Sequence, residues 1–190
     1  MNSNNIQIEY PVIAKDFNDL LKIISLNLVF DKNMTTEYFQ SLSSGEILLA
    51  ELDGKIVGAL VHRRPGKIFF ELPDEHFDLE HINYSKKDLG YIAIVVVDSK
   101  HQGKGIGKLL LNEALNLQKD FGSKAVIVHC WQSSPGKGSE KLFRSAGFEA
   151  LKVHKQPWHE YALEVGSEGH LCAACGNPCT CDELEMIKYL

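Results

Sequence analysis

The chain has 190 residues, 44% hydrophobic and 24% charged, which suits one packed domain with a small appendage. A formal net charge of −5 argues against generic nucleic-acid binding. No run approaches the ~18 apolar residues of a membrane span, and the opening Met1–Asn5 is polar, so we expect a cytoplasmic protein with no membrane partner. In chain order, Ile6 to Ile13 alternates in part and predicts a strand. Phe17, Leu20, Leu21, Ile24 and Leu28 fall at helical spacing, with Asp16 placed as a cap. A short helix is expected near Thr35 to Leu42. Ile47 to Leu52 and Ile56 to His62 flank Asp53-Gly54, a type I′ hairpin signal because both central residues need positive φ. After the turn at Arg64-Pro65-Gly66-Lys67 comes a β-prone Ile68 to Leu72. Glu71, Asp74, Glu75, Asp78 and Glu80 form an acidic stretch able to draw a cationic amine. The apolar run Ile92 to Val97 predicts a strand, and Ile106, Leu109, Leu110, Ala114 and Leu117 form one face of a helix. Lys124 to Trp131 predicts another strand, and Ser139 is placed to cap a helix that ends at Gly147. Phe148 to His154 and Tyr161 to Val165 read as closing strands, with a linker at Gly166 to Gly169.

Between the strand at Ile92 and the helix at Ile106 lies Gln102-Gly103-Lys104-Gly105-Ile106-Gly107. Three glycines in five positions free the backbone and admit a closely approaching molecule. The first N–H groups of the helix lack partners within it and favour negative charge, which makes a diphosphate cradle. A Walker loop would need Gly at Gln102 and Ser or Thr at Leu109. The dinucleotide fingerprint would need Gly at Lys108 and an acid at the end of the next strand, where His129-Cys130-Trp131 stands.

What remains, Q-x-x-G-x-G between a strand and a helix, resembles the acetyl-CoA motif of the GNAT N-acetyltransferase superfamily. The resemblance covers about Ile6 to Val165 and implies an α/β (α+β) fold with a central mixed, twisted sheet flanked by helices. It implies transfer of an acetyl group from acetyl-CoA to a primary amine, borne by a small molecule or a protein. The pyrophosphate would lie on Gln102, Gly103, Lys104, Gly105, Ile106, Gly107 and Lys108, with Lys100 and His101 adding positive charge. The strand before the loop is expected to splay from its neighbour, so that an amide near Val95 to Val97 polarises the thioester carbonyl. The chain departs from the family pattern at Phe143, four residues before Gly147-Phe148, where many members carry a proton-donating Tyr. Ser133, Ser134 and Gly136 occupy the region of a frequent Asn. The candidates left for proton handling are Tyr91, at a position where some members keep a catalytic Glu, and Cys130, with His129 beside it. A non-catalytic acyl-CoA-binding module fits the same loop.

Four of the five cysteines crowd into Cys172-Ala-Ala-Cys175-Gly-Asn-Pro-Cys179-Thr-Cys181. Cys172-x-x-Cys175-Gly has the form of a metal knuckle, and Cys179-x-Cys181 supplies the two further thiolates of a tetrahedral zinc site. Free thiols and an iron–sulfur cluster are the alternatives, and a zinc-stabilised tail could serve a protein partner. The expected organisation is an acetyltransferase domain over 1–166 and a Cys-rich tail over 167–190.

Overall fold

The computed structural model describes residues 6–10, 14–132 and 138–190. Its elements run β1 (Gln7–Glu9), α1 (Ala14–Asn27), β2 (Val29–Asp31), α2 (Thr36–Ser41), β3 (Ile47–Leu52), β4 (Lys55–Arg63), β5 (Leu89–Val97), α3 (Ile106–Asp120), β6 (Ala125–Trp131), α4 (Gly138–Ser145), β7 (Glu149–His154), α5 (His159–Val165), β8 (His170–Cys172) and β9 (Glu183–Tyr189). Seven strands form one sheet in the order β1-β3-β4-β5-β6-β9-β7, and β2 pairs with β8 apart from it. Among the described residues only the β5–β6 pair of this sheet is parallel.

Alternation along the strands sorts the core onto two faces. On one, α3 and α4 set Ile106, Leu110, Leu111, Ala114 and Phe143 against Leu60, Ile92, Val126, Val128 and Met186. On the other, α1 and α2 bury Leu20, Ile24 and Phe39 on Ala59, Val61, Ile94 and Val96. Further along that face, the turns between β4 and β5 bury Ile68, Phe77 and Ile82 on Leu89, Tyr91, Ile127 and Ile187. The hairpin forms as expected, with φ of 52° at Asp53 and 73° at Gly54. Thr35 caps α2 by accepting the Tyr38 N–H at 3.2 Å. No helix among the described residues is long and apolar enough to cross a membrane.

Several elements differ from expectation. Ile68 to Leu72 is a 3₁₀ turn over Lys67–Phe70, entered through a left-handed Gly66 and followed by Pro73, which cannot supply the N–H of a continuing strand. Asp16 lies inside the first turn of α1, where a carboxylate favours the helix dipole. Ser139 likewise lies within α4, and the calls on Ser133, Ser134 and Gly136 fall outside the described residues. Tyr161 to Val165 belongs to α5, which presents Ala162 to the cysteines. The strand expected there is β9, inserted between β6 and β7. Residues beyond 166 therefore supply an inner strand of the same sheet as well as the cysteine segment.

A buried polar knot ties the end of α3 to the sheet. Gln118 Nε2 donates to His62 Nδ1 at 2.7 Å and to the Arg63 carbonyl at 2.9 Å, and Ser123 Oγ donates to Gln118 Oε1. His62 Nε2 then donates to the Gly45 carbonyl at 2.7 Å. Burial pushes His62 down to about 4, so the folded protein holds it neutral. A depressed histidine contributes fully above its unfolded pKa near 6.5, and that contribution is lost as pH falls toward 4. Lowering pH from 7.5 to 5.5 should therefore remove about 1 kcal/mol through His62, read as a lower guanidinium midpoint. His62→Gln should lower the midpoint at pH 7.5 and flatten the dependence; an unchanged pH slope would exclude His62 as its source.

Candidate active site

The site begins where two strands part. β5 and β6 pair from Leu89↔Ala125 to Ile92↔Val128 and no further. β6 keeps β9 on its other edge through Trp131, and β5 keeps β4 through Val97. The β4–β5 register slips between Val61↔Ile94 and His62↔Ile92, leaving Ala93 as a bulge at the fork. A cleft of about 810 Å³ opens there, lined on one wall by Tyr91 to Val97 and on the other by Val128, His129 and Trp131.

The direction of the exposed amides follows from alternation. The Asp98 N–H donates to the Val57 carbonyl at 2.9 Å, on the β4 side. The N–H groups of Val97 and Val95 therefore face the opposite way, into the fork. The Val97 carbonyl faces the same way and accepts Gln102 Nε2 at 3.0 Å, which fastens the glycine loop to the end of β5.

The loop itself is built from local caps. Asp98 accepts the Lys100 N–H at 2.9 Å, and a 3₁₀ turn at Ser99–His101 leads into Gly103 and Gly105 with φ of 76° and 84°. Gly105 is the N-cap of α3 and has no side chain to cover the first N–H groups. A Cβ at either glycine would meet nothing within 4 Å, so positive φ, not crowding within the chain, calls for glycine. Ile106, Leu110 and Leu111 anchor α3 in the core, so the start of the helix is fixed at the mouth of the cleft. Gln102, Gly103, Gly105, Ile106, Gly107 and Lys108 line that mouth, as do Val95 and Val97. The structure thus brings all but one of the expected nucleotide-side residues together; Lys104 is exposed and outside the lining.

The two proton candidates part company. Tyr91 lines the cleft at the fork, and its hydroxyl lies 2.9 Å from His129 Nδ1. Burial, then the charges of Glu183 and Glu185, hold the phenol well above its usual range, so it remains a donor. Burial, with His154 and His76 nearby, pushes His129 down to about 3. His129 is then neutral and accepts the Tyr91 O–H. Cys130 points to the opposite face, its Sγ 3.7 Å from Met186 Sδ, and burial pushes it up to about 12. It does not line the cleft. Phe143 is buried edge-to-face against Phe148, with centroids 5.1 Å apart. The acidic stretch also stays out of the cleft: Glu71 pairs with Arg63, Asp74 with Lys86, and Asp78 with His81.

The carboxylates that do reach the cleft are Asp31 and Glu183. Asp31 accepts His170 Nδ1 at 3.0 Å, the Tyr161 hydroxyl at 3.2 Å and the Asn33 N–H at 2.9 Å. Burial works to raise Asp31, and these hydrogen bonds outweigh it and lower it. Glu183 accepts both Trp131 Nε1 at 2.9 Å and Trp158 Nε1 at 2.8 Å on Oε1. Burial raises Glu183, and the two indoles oppose the rise. Sequence reasoning missed this wall. Its carboxylates come from β2 and β9, far apart in sequence, and the alternating acids after Cys181 resemble a solvated tail.

Behind the wall sits the cysteine cluster. All five cysteines are free thiols, and Sγ atoms of the four clustered ones lie within 4.8 Å of one another. Individual separations are 3.7 Å (Cys172–Cys181), 3.7 Å (Cys175–Cys179) and 3.3 Å (Cys175–Cys181). Four thiolates about 2.3 Å from one tetrahedral ion would stand about 3.8 Å apart, so the donor set fits a single ion. Ala174 N–H and Thr180 N–H point at the sulfurs of Cys172 and Cys175, at 3.4 and 3.3 Å. Trp131, Trp158 and Ala162 pack on the cluster, and Asn177 donates to the carbonyls of Ala162 and His170.

Curated relatives match over part of the chain. An uncharacterized N-acetyltransferase of Methanocaldococcus jannaschii (MJ1207) is 33% identical over 73 residues, 38% of this chain and 31% of that protein. The chloroplastic GCN5-related N-acetyltransferase 4 of Arabidopsis thaliana is 32% identical over 65 residues, 34% of this chain and 22% of that protein. The matches thus take in less than a third of each relative's length. Among solved structures, a Bacillus subtilis acetyltransferase in complex with CoA superposes with a TM-score of 0.65 at 18% identity, over 98% of this chain and 99% of that one. The ribosomal-protein-alanine N-acetyltransferase of Brucella melitensis gives 0.63 at 21%, over 97% and 99%. These structures share the fold. The sequence model of the acetyltransferase (GNAT) family matches residues 15–148, from α1 through the fork and the glycine loop to Gly147-Phe148, and on that match the chain belongs to this family.

Proposed function

We propose that the protein is an acetyl-CoA-dependent N-acetyltransferase acting on a primary amine. The observation that carries this reading is the fork beside the glycine loop. Val95 and Val97 turn their N–H groups into the opening, and the open start of α3 lies at its mouth. On this reading the pyrophosphate of acetyl-CoA rests on the loop from Gln102 to Lys108 and its thioester reaches the fork. The amine lone pair attacks the carbonyl carbon, a C–N bond forms, and the C–S bond breaks to release CoA thiolate. The Val95 and Val97 amides stabilise the oxyanion, a role worth roughly 3–4 kcal/mol of barrier for one such donor. The amine loses one proton and the thiolate gains one. With Phe143 unable to donate, Tyr91 is the donor at the fork: its O–H turns from His129 Nδ1 to the thiolate, and the proton lost by the acetylated amine restores the phenol. A module that only binds acyl-CoA is not favoured, because the opening continues past the amides to a polar wall on the acceptor side.

We further propose that Cys172, Cys175, Cys179 and Cys181 hold one structural zinc ion. The sulfur spacing and the N–H groups directed at sulfur support it. Thiols kept reduced for a metal suit a cytoplasmic protein.

Gly105→Val should abolish acetyl-CoA binding in titration calorimetry while the fold persists, since a β-branched residue is strained at φ 84° and crowds the approach of the pyrophosphate. Unchanged affinity would exclude the loop as the cradle. CoA release with a panel of primary amines tests the activity itself. Tyr91→Phe should slow that release and alter its pH profile; an unaltered rate and profile would reduce Tyr91 to packing. Elemental analysis of protein purified without added metal should find about one zinc per chain, and Cys175→Ser should loosen residues 170–181 in hydrogen exchange. Less than a tenth of an equivalent, with four freely titrating thiols, would refute the zinc site.

A further inference from the structure

Glu183 and Glu185 lie two residues apart on β9 and face the same side of the sheet. Both are buried, at 5% and 0% exposure, yet their surroundings differ. Glu185 is fully answered: His154 Nε2 lies 2.8 Å from its Oε2, and the Asp78 N–H donates to it at 2.9 Å. Glu183 receives two neutral indole N–H groups, both on Oε1. Its Oε2 has no hydrogen-bond partner among the described residues. Among the described residues, no lysine or arginine lines the cleft except Lys108, which belongs to the glycine loop. The other cleft carboxylate, Asp31, is occupied by His170, Tyr161 and Asn33. A buried carboxylate without a cation is costly, and indole dipoles offset only part of that cost.

Its position in the sheet is also specific. Glu183 is paired with Trp131 across β6 and β9. Counting on from the last β5–β6 pair, Ile92↔Val128, and allowing for the bulge at Ala93, brings Val96 level with Trp131. The carboxylate thus stands across the fork at about the height of the Val95 and Val97 amides that flank this residue and face the opening. It lies on the α1 side of the sheet, whereas the glycine loop leads into α3 on the other side. Leu26, Leu28, Val29 and Met34 add an apolar rim to the same cleft.

We propose that Glu183 is a cation-binding residue: its free carboxylate oxygen receives the ammonium group of an acceptor whose apolar stem lies along Leu26, Leu28 and Val29. The acceptor class is therefore a primary ammonium on an aliphatic stem. The fate of that ammonium as acetyl acceptor rests on the acetyltransferase reading, but its binding does not.

The site carries its own reporter, because the chain has two tryptophans and both donate to Glu183. Tryptophan fluorescence is followed while n-butylamine or n-butanol is added at pH 7.5, where the amine is an ammonium ion. The amine should give a saturable change, and the alcohol one at least about tenfold weaker. Glu183→Gln keeps an acceptor for the indoles but removes the charge. It should abolish the amine response while acetyl-CoA affinity and unfolding midpoint are retained. Equal responses to amine and alcohol, no saturable response to the amine, or a response undiminished in Glu183→Gln would each overturn the proposal. The amine–alcohol comparison uses the unaltered protein, so it decides the matter even if the variant fails to fold. CoA release without selective ammonium binding would leave the acetyltransferase reading standing and refute this site. Ammonium binding without CoA release with any amine would do the reverse.

Discussion

Two neighbouring strands that stop sharing hydrogen bonds leave backbone donors in need of other partners. Here the parting of β5 and β6 after Ile92 and Val128 determines what the rest of the fold must supply. Each strand is held on its far edge, β5 by β4 and β6 by β9, so neither can drift back to close the gap. The bulge at Ala93 turns Val95 and Val97 toward the α3 side of the core while Ile94 and Val96 pack under α1. The glycine loop is then tied to the same strand end through Gln102 and the Val97 carbonyl. A donor edge and an anion-binding helix start thereby share one rigid support.

The opposite wall rests on buried acids. β9 carries two of them into the interior of a protein whose net charge is already negative. Glu185 is answered by His154 from β7 and the Asp78 amide from the long β4–β5 excursion, whereas Glu183 is answered on one oxygen alone, by the indoles of Trp131 on β6 and Trp158 at the start of α5. The cysteine segment sets the position of this wall, since it packs on both tryptophans and runs directly into β9. β8 also pairs with β2, which carries Asp31 to the cleft.

The nucleotide side of the site was legible in the sequence because it is local. The Q-x-x-G-x-G spacing, the preceding apolar strand and the following amphipathic helix all lie within Tyr91 to Leu117. The hairpin at Asp53-Gly54 was legible for the same reason, since its turn depends on those two residues. The cysteine spacing likewise marked out a compact four-sulfur cluster. The polar wall with Asp31 and Glu183 was not legible, because it gathers β2, β6, α5 and β9 through pairings that no short pattern encodes. The final strand was hidden by composition: Glu183-Leu184-Glu185-Met186 alternates like an exposed ribbon, and only its partners reveal that both faces are covered. Tyr161 to Val165 was expected as a closing strand, yet Ala162, Leu163 and Glu164 favour a helix, and the helix offers Ala162 to the cysteines.

The place of β9 between β6 and β7 has a consequence for synthesis. Among the described residues β7 has no sheet partner other than β9, and β6 meets β7 only across it. A nascent chain that has emerged through His154 can pair β1 to β6 but must hold β7 apart, with one edge of β6 exposed, until residues 183–189 leave the ribosome. The cysteine segment precedes that strand, so it emerges while the gap is still open. Completion of the sheet is thus a late step, and during this interval the bare edge of β6 is the part of the chain most exposed to wrong pairing.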